Sequence, residues 1–341
     1  MNAVRFFLVS DVGGTHTGFA IVEQSTAGLR FLAERSFRSE EYADFESVLE
    51  RFLAFPEAVA VRSSLTAACF AVAGPVTGDF ATLTNLGWQV DAAAIRARFN
   101  LPDVRLINDF HAAGLGVTTL ETGSLVTLQA AEAEEHGTAV IIGAGTGLGV
   151  GIITRDGGRF RVLPSEGGHA DFAATDELQD RLLIYMRRNF GRVSYERIIS
   201  GPGLMRVFSF LQDSGYGVPS RQLLEATKRP GADQAEVISE YALARLDPLA
   251  VRALDLFIAA YGSFAGNMAL AALARGGVYI AGGIAPRIIN RLREGGFARA
   301  FNTKGASSGL LSGIPVQVVM DPRVGLRGAA SAAAQPLTVT D

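Results

Sequence analysis

The sequence predicts a mixed α/β protein built from two related halves, and three observations lead to this prediction. A chain of 341 residues, 48% of them hydrophobic, can bury a large core, and its length suggests two domains or one large domain. Apolar strands alternate with helical patterns along the first hundred residues, which is typical of a mixed α/β domain. A strand, a glycine turn and a second strand occur near residue 13 and again near residue 145, which indicates related halves.

The composition restricts the class of partner. The net charge is -3 at pH 7, with no long run of one sign, so bulk electrostatics attract neither nucleic acid nor an anionic membrane. Small molecules are the expected partners. The single cysteine, Cys69, cannot form an internal disulfide and fits a reducing compartment. The N-terminus reaches Asp11 too early for a signal-peptide apolar region, so a cytoplasmic location is predicted.

One apolar run has two interpretations. Residues 256–274 contain no charged side chain, and Gly262 and Gly266 have the spacing of a membrane dimerisation motif. Asp255 and Arg275 bound the run closely, and a helix that is apolar all round is also what the core of a large soluble domain needs. The core helix is the favoured interpretation.

The first element is a strand at 5–10 that ends in the turn Asp11-Val12-Gly13-Gly14-Thr15 and continues as a second strand. Adjacent glycines permit positive φ and leave backbone N–H groups uncovered, so phosphate oxygens can approach, and Thr15 adds a hydroxyl donor. Asp11 is a poor anion ligand but a suitable partner for Mg²⁺ held through water. For these five residues alone, an ordinary tight hairpin is an equally good interpretation.

The elements that follow are predicted from apolar periodicity and turn residues. They are a strand at 31–37, a helix at 44–53, a strand at 67–73, a turn at 74–79, a strand at 80–85, a helix from Asp91 and a strand at 104–108. Together with the first hairpin they make a compact mixed α/β domain with Asp109 at its edge.

The strand at 104–108 ends on Asn108-Asp109, at the start of a helical pattern. Both residue types cap helices, so Asp109 taken alone is best interpreted as an N-cap that accepts backbone N–H bonds. The glycine loops and polar groups elsewhere in the chain reverse this preference, because they need a base between them. Asp109 is therefore the candidate base.

The second half opens with a strand at 139–142 and the glycine-rich run 143–149. Neither a Walker A lysine nor the dinucleotide glycine spacing is present, and an apolar, strand-like segment follows where both motifs need a helix. Lys228 and Lys304 are the only lysines of the chain. Phosphate binding must therefore rely on backbone amides, hydroxyls and a metal.

A second polar group follows a strand at 160–163. Glu166 and His169 flank two glycines, and with four histidines, no H-E-x-x-H and no cysteine pair a metal site is not favoured. Hydrogen bonding to a polyol is the better interpretation, and an incidental surface loop is the alternative. Glu196, between apolar residues after a helix at 175–189, would by itself be an exposed residue or an ion-pair partner of Arg197.

The remaining pattern is helical up to Arg275. A strand at 276–284 then ends in a third glycine turn, Gly282-Gly283, whose small residues could let an adenine or ribose lie against the backbone. A strand at 315–320 and an alanine-rich helix at 324–334 complete the prediction.

Several short motifs follow one another along the chain: Asp11-Val12-Gly13-Gly14-Thr15, Gly74-Pro75-Val76-Thr77-Gly78, Leu106-Ile107-Asn108-Asp109-Phe110, Gly143-Ala144-Gly145-Thr146-Gly147-Leu148-Gly149, Glu166-Gly167-Gly168-His169, Glu196-Arg197 with Ser200-Gly201-Pro202-Gly203, and Ala281-Gly282-Gly283-Ile284. In order and spacing they resemble the motifs of bacterial glucokinases, from the first strand to the last helix. So many motifs in order are far more specific than any one of them.

The resemblance implies the actin-like ATPase (ribonuclease H-like) fold, with two mixed α/β domains and an interdomain cleft. The expected small domain is 1–109 plus 322–341, and the expected large domain is 110–321. The implied activity is transfer of the ATP γ-phosphoryl group to the 6-hydroxyl of D-glucose, with Mg²⁺ required. The implied partners are glucose and MgATP, and a homodimer is what the family suggests.

The resemblance also implies a role for individual residues. Asp109 is similar to the catalytic base, and Asn108, Glu166, His169 and Glu196 are similar to the sugar-binding residues. The nucleotide-binding positions are Ser10, Asp11, Val12, Gly13, Gly14 and Thr15 in the first phosphate loop, Gly145 and Thr146 in the second, and Gly282 and Gly283 on the adenosine side, with Asp11 holding the metal through water.

The sequence departs from the family pattern near the first loop. His16-Thr17-Gly18 stands where the family usually has Asn-x-Arg, Ser10 stands where glycine is usual, and Ser165 replaces a glycine before Glu166. Two alternatives are retained: a sugar-binding regulator without turnover, and a kinase for another hexose. Sugar kinases and repressors of the ROK type are disfavoured, because they have a cysteine-rich zinc motif and this chain has one cysteine.

Overall fold

A computed structural model describes residues 4–83 and 86–335. Within these residues the strands are β1 (Arg5–Val12), β2 (His16–Ser25), β3 (Gly28–Arg38), β4 (Leu65–Val72), β5 (Val76–Thr77), β6 (Phe80–Leu83), β7 (Trp88–Asp91), β8 (Val104–Asn108), β9 (Leu125–Gln129), β10 (Ala139–Ala144), β11 (Leu148–Asp156), β12 (Arg159–Ser165), β13 (Gly277–Ala281) and β14 (Val316–Val319). The helices are α1 (Phe45–Leu53), α2 (Pro56–Val61), α3 (Ala92–Phe99), α4 (Asp109–Val117), α5 (Glu177–Phe190), α6 (Gly201–Asp213), α7 (Arg221–Thr227), α8 (Gln234–Leu243), α9 (Pro248–Ala272), α10 (Ile284–Arg287), α11 (Ile289–Arg293), α12 (Gly296–Asn302), α13 (Ser308–Ser312) and α14 (Val324–Ala334).

The first sheet has the strand order β3-β2-β1-β4-β8. Antiparallel hairpins join β1, β2 and β3, whereas β4 is parallel to β1 and β8 is parallel to β4. Every residue of β4 except Thr66 is buried, as expected of a parallel strand covered on both faces. The small meander β5-β6-β7 lies between β4 and α3 in the chain.

Helices α4 and α14 pack closely against each other beside this sheet. A Cβ at Gly116 would lie 1.9 Å from the Val324 carbonyl oxygen, and one at Gly328 would lie 1.6 Å from the Ala112 carbonyl oxygen. The small residues of α14 therefore let the two backbones touch, which explains the alanine-rich composition of the last helix.

The second sheet has the strand order β12-β11-β10-β13-β14-β9. As in the first sheet, an antiparallel hairpin, β10 with β11, is followed by two parallel neighbours, β13 and β14. Strand β9 is added antiparallel to β14. Apart from β9, the strand order repeats that of the first sheet, so the two glycine hairpins occupy equivalent places in their sheets.

Helix α9 lies in the hydrophobic core beside the second sheet. It is long and apolar enough to cross a membrane by length and composition, but 78% of its most apolar window is buried inside the protein. A Cβ at Gly262 would lie 2.2 Å from the Phe297 carbonyl oxygen, and one at Gly266 would lie 2.5 Å from that of Phe301. The glycine pair thus allows α9 and α12 to pack closely against each other within the chain.

The chain forms two compact units. One contains the described residues up to 122, residues 160–164 and the described residues from 321 onwards, and the other contains residues 123–159 and 165–320. Each unit has a hydrophobic core of its own. The domain boundaries predicted from the sequence, 1–109 with 322–341 and 110–321, stay a prediction.

Candidate active site

The carboxyl ends of the parallel strands bring several predicted site residues to one edge of the first sheet. Val12 pairs with Val72, and Val72 pairs with Asn108, so the turn after β1 and the start of α4 lie at the same edge. Two strand spacings separate them, which is ~10 Å. Asp109 and the first glycine turn are therefore neighbours within this unit.

Asn108, and not Asp109, caps helix α4. The Asn108 Oδ1 accepts from the backbone N–H groups of Phe110 at 2.9 Å and His111 at 3.3 Å. Its Nδ2 donates to the Gly74 carbonyl at 3.2 Å. Asp109 is the first residue of the helix, and its Oδ1 accepts from the Phe110 N–H at 2.9 Å. The capping function that competed with a catalytic function for Asp109 is thus supplied by its neighbour.

The first glycine turn is fixed by bonds within the unit. The Gly13 N–H donates to the His16 carbonyl at 2.9 Å. This bond closes the hairpin and occupies the amide. The buried Ser39 Oγ donates to the Gly13 carbonyl at 2.9 Å and contacts the Thr17 Oγ1 at 3.0 Å. Thr15 is exposed beside it. A phosphate at this turn would depend on Gly14 and Thr15 more than on Gly13.

Ser10 and Asp11 are consecutive residues near the end of β1. Ser10 is fully buried, and its Oγ has no hydrogen-bond partner among the described residues. Burial raises the pKa of Asp11 to about 6. The Asp11 carboxylate approaches the start of α14, since a Cβ at Gly325 would lie 2.4 Å from its Oδ2.

The second and third glycine turns share an edge of the second sheet. Strands β10 and β13 are parallel neighbours, and Gly145 and Gly282 follow them directly. The Gly145 N–H donates to the Gly147 carbonyl at 2.9 Å, and the Gly201 N–H donates to the Gly145 carbonyl at 2.8 Å. Gly282 has φ +80°, and a Cβ there would lie 2.5 Å from the Ala144 carbonyl oxygen. Only glycine lets these two turns approach so closely.

Glu166, His169 and Glu196, predicted separately along the sequence, are brought together beside the second turn. The His169 Nε2 lies 3.8 Å from the Glu166 Oε2, and the His169 Nδ1 lies 4.0 Å from the Glu196 Oε1. A 3-10 turn, Gly167–His169, presents the first two. A Cβ at Gly168 would lie 1.9 Å from the Leu148 carbonyl oxygen, so that glycine lets the turn rest on the start of β11.

Glu196 is held by backbone, not by an arginine. Its Oε2 accepts from the Leu148 N–H at 3.1 Å, and a Cβ at Gly147 would lie 2.8 Å from this oxygen. The Arg197 guanidinium instead lies over the Phe190 ring at 4.6 Å. The sequence-based alternative, an ion pair between Glu196 and Arg197, is therefore not what the described residues show. One carboxylate oxygen is anchored and the other faces His169.

The predicted residues thus fall into two groups, one in each compact unit. The first unit holds the candidate base, the capping amide, the candidate metal-binding carboxylate and the first turn: Ser10, Asp11, Val12, Gly13, Gly14, Thr15, Asn108 and Asp109. The second unit holds the three polyol-binding candidates and the other two turns: Gly145, Thr146, Glu166, His169, Glu196, Gly282 and Gly283.

Several residues that shape the site were not predicted from the sequence to be site residues. The Leu148 N–H and Gly147 support Glu196, and Tyr195 anchors the same turn. Asn267 donates to the Tyr195 Oη at 2.8 Å from α9. Asn267 interrupts an otherwise apolar helix, and a polar residue in such a place is the signal that could have marked it.

The arrangement has known relatives. The glucokinase family model matches residues 8–336. A glucokinase of Trichormus variabilis is 40% identical over 344 residues, covering 97% of this chain and 100% of that protein. The structure of a glucokinase from an Antarctic psychrotroph has a TM-score of 0.80 and 31% identity, covering 96% of this chain and 98% of that one.

A more distant structure shares the fold. A ROK family glucokinase from Streptomyces griseus, in complex with glucose and AMPPNP, has a TM-score of 0.64 and 22% identity, covering 97% of this chain and 100% of that chain. At this identity the likeness concerns the fold alone.

Two repeated sheets with glycine turns at their carboxyl edges, together with the likeness to a glucokinase structure, define a sugar kinase of the actin-like ATPase fold. Within that class the chain belongs to the glucokinase family. The family, the fold class and the enzyme class predicted from the sequence are confirmed.

Proposed function

We propose that the protein phosphorylates D-glucose at its 6-hydroxyl with ATP, giving glucose 6-phosphate and ADP. The observation that supports this most strongly is the match to the glucokinase family over residues 8–336. The convergence of Glu166, His169 and Glu196 on one face supports the sugar as acceptor, because alternating acceptors and donors suit vicinal hydroxyls.

In this proposal, the sugar-binding residues orient the sugar through separate hydrogen bonds. Glu196 has one oxygen fixed by the Leu148 N–H, which leaves the other to accept from a sugar hydroxyl. His169 and the more exposed Glu166 add an imidazole ring and a second carboxylate. Asn108 binds the sugar through its second Nδ2 hydrogen, since the first is donated to Gly74.

Asp109 acts as the base. The 6-hydroxyl oxygen forms a bond to the γ-phosphorus in line with the bond to ADP that breaks, and the hydroxyl proton passes to the Asp109 carboxylate. Most of the rate comes from positioning and charge stabilisation, because phosphoryl transfer leaves little covalent work for the protein. The Asn108 amide caps α4, and Asp109, at the first position of the helix, is the residue assigned to the base.

Asp11 fits the binding of Mg²⁺ through water. Among the described residues no group of three or more His, Cys, Asp or Glu side chains could hold a metal directly, and Mg²⁺ usually retains several waters and is bound by one or two carboxylates. Burial raises the pKa of Asp11, and a cation bound beside it would favour the charged form of the carboxylate. Bound there, Mg²⁺ would neutralise charge on the phosphates.

The nucleotide is assigned to the three glycine turns. Ser10, Asp11, Val12, Gly13, Gly14 and Thr15 form the first phosphate loop, Gly145 and Thr146 form the second, and Gly282 with Gly283 faces the adenosine. A Cβ at Gly145 or Gly283 would meet nothing within 4 Å, so both glycines leave open space where a ligand could approach the backbone.

The domains and cellular setting complete the proposal. The proposed small domain is 1–109 with 322–341 and the proposed large domain is 110–321, the bounds predicted from the sequence. Glucose and MgATP are the proposed partners, without nucleic acid or membrane, in the cytoplasm, and the protein assembles as a homodimer.

A coupled assay of ADP release tests the proposal. Glucose should stimulate ADP release from MgATP, and omission of Mg²⁺ should abolish it. A panel of glucose, mannose, fructose and glucosamine then ranks the acceptors by kcat/KM, with glucose expected first. Glucose binding without ADP release would indicate a sugar-binding regulator, and a higher kcat/KM for another sugar would indicate a different hexose kinase.

A further inference from the structure

Lys304 donates all of its side-chain hydrogen bonds to uncharged groups of helix α9. It is one of the two lysines of the chain, and burial by its surroundings lowers the pKa of its half-buried ammonium group. The Nζ donates to the Ser263 carbonyl at 2.9 Å, the Ser263 Oγ at 3.1 Å and the Asn267 Oδ1 at 2.6 Å. These bonds match the three protons of an ammonium. No carboxylate pairs with Lys304 within the described part of the chain.

The packing of α9 and α12 makes room for this side chain. A Cβ at Gly266 would lie 2.7 Å from the Lys304 Cε, so the lysine passes over a glycine to reach the polar residues of α9. The close contact between α9 and α12 at Gly266 therefore allows the Lys304 side chain, which starts just after α12, to reach α9.

Lys304 determines which way the Asn267 amide points. An ammonium can only donate, so the Asn267 oxygen must face Lys304 and its nitrogen must face away. The Nδ2 donates to the Tyr195 Oη at 2.8 Å. Without the lysine, the amide could rotate and offer either atom to the tyrosine.

Tyr195 links this pair to the sugar-binding cluster. It opens the 3-10 turn Tyr195–Arg197, is 2% exposed, and packs its ring against Phe264 at 4.6 Å and Phe172 at 5.5 Å. Glu196 is the next residue, and the Ser200 Oγ donates to its carbonyl at 2.7 Å. A shift of the tyrosine would move the Glu196 carboxylate relative to the Leu148 N–H and His169.

We propose that Lys304 is a positioning residue for the sugar: through Asn267 and Tyr195 it fixes the turn from which Glu196 binds glucose. The proposal rests on the proposed function, in which Glu196 contacts the sugar. Lys304 touches neither substrate in this scheme, and its effect is confined to the sugar side of the reaction.

Steady-state kinetics of Lys304→Met test the proposal, because methionine fills much of the same space without donating. The KM for glucose should rise about tenfold, equivalent to ~1.4 kcal/mol, while the KM for ATP and kcat stay within about twofold of wild type. Lys228→Met is the matched control. It removes the other lysine, which is exposed at the end of α7, and should leave every constant unchanged.

A pair of variants at Asn267 separates positioning from general support of the fold. Asn267→Asp can still accept from Lys304 with one oxygen and from the Tyr195 hydroxyl with the other, so its glucose KM should stay near wild type. Asn267→Leu loses both bonds and should resemble Lys304→Met. A loss confined to Asn267→Leu would support the proposal, and equal losses in both Asn267 variants would overturn it.

Combination with Glu196→Gln shows whether Lys304 acts through Glu196. If it does, Lys304→Met should add little to the glucose KM of Glu196→Gln, because interacting residues give non-additive effects. Additive effects would overturn the proposal, as would an unchanged glucose KM in Lys304→Met. If the wild-type protein released no ADP, the proposed reaction would fail, and the same variants would be compared by glucose Kd with the same expected order.

Discussion

Two buried hydroxyls near the first glycine turn have opposite hydrogen-bonding states. The Ser10 Oγ has no partner among the described residues, whereas the Ser39 Oγ donates to the Gly13 carbonyl and contacts Thr17. A buried polar group without a bond costs ~1–3 kcal/mol. The buried hydroxyl of Ser10 therefore lowers the stability of this chain.

Ser10→Ala should stabilise the protein by about 1 kcal/mol, because it removes the unsatisfied hydroxyl and keeps the packing. Ser39→Ala, also fully buried, should destabilise it by about 1 kcal/mol, because it leaves the Gly13 carbonyl without its donor. Urea unfolding of the three proteins measures both changes. A loss of stability in Ser10→Ala would show that its hydroxyl has a partner.

The sequence could identify residue types at the site but not which neighbour performs which task. Asn108 and Asp109 are both capping residues, and the pattern alone could not say that Asn108 takes the cap. Glu166, His169 and Glu196 were each predicted to bind a sugar, yet their proximity depends on Gly168, the Leu148 N–H and the turn at Tyr195. Local sequence patterns do not predict contacts between segments that are distant along the chain.

At the scale of elements, glycines decide how closely helices approach. Gly262 of α9 faces the Phe297 carbonyl of α12, so that no Cβ fits between them. The sequence predicted a core helix from the apolar run. It could not predict which helix the two glycines contact, because glycines four residues apart allow close helix packing in membrane and soluble proteins alike.

Gly262→Ala should destabilise the protein by about 1–3 kcal/mol, because its Cβ would lie 2.2 Å from a backbone oxygen and the helices must separate. Gly309→Ala in α13 is the control: a Cβ there meets nothing within 4 Å, and alanine is the better helix former by up to about 1 kcal/mol. Thermal unfolding compares the two. Equal stabilities of Gly262→Ala and wild type would contradict the close packing of α9 on α12.

Asp321 stabilises the segment that leads into α14. Its carboxylate is 5% exposed and accepts from the Arg323 N–H and Nε at 2.9 and 3.2 Å and from the Arg327 Nε at 2.7 Å. Burial raises the pKa of Asp321, but these donors outweigh burial and hold it below the ordinary value of 3.8. The charged form is therefore the stabilising one.

Asp321→Asn should cost about 3 kcal/mol at pH 7, as expected when one partner of a buried ion pair is lost. Because the folded pKa is depressed, the wild type has this advantage in full above about pH 4 and loses it as the pH falls through the folded value. Unfolding free energies of the two proteins, measured from pH 8 to about pH 2, should therefore differ by a constant amount down to about pH 4 and approach each other only below it. Glu177→Gln, in an exposed pair with Arg181, should change stability by less than about 0.5 kcal/mol. A constant difference across the pH range would contradict the assignment.

Most elements follow from periodicity and caps, and the exceptions have physical reasons. The predicted helix at 324–334 has those bounds, and the helices predicted from Asp44 and Asp91 begin just after these caps. Strand β9 was not predicted, because it is short, only half-buried and added to β14 by a non-local pairing. Tertiary contact decides such a strand, not local propensity.

At the scale of the whole molecule, the repeated strand order explains why the same glycine hairpin occurs twice. In each sheet a parallel strand pairs with the first strand of the hairpin, so each glycine turn lies at the carboxyl edge beside parallel strands. The sequence indicated this repeat only weakly, since its two hairpins share little beyond glycine. The ordered set of motifs was more informative, and it led to the family that the comparisons establish.

The central claim is that Asp109 accepts the proton of the sugar hydroxyl, and steady-state kinetics of Asp109→Asn test it most directly. The variant should keep a glucose KM within a few-fold of wild type and lose on the order of 10² to 10⁴ in kcat, the usual contribution of a positioned general base. Asp79→Asn, which removes an exposed carboxylate elsewhere in the same unit, should leave kcat unchanged. Turnover of Asp109→Asn at the wild-type rate would contradict the account.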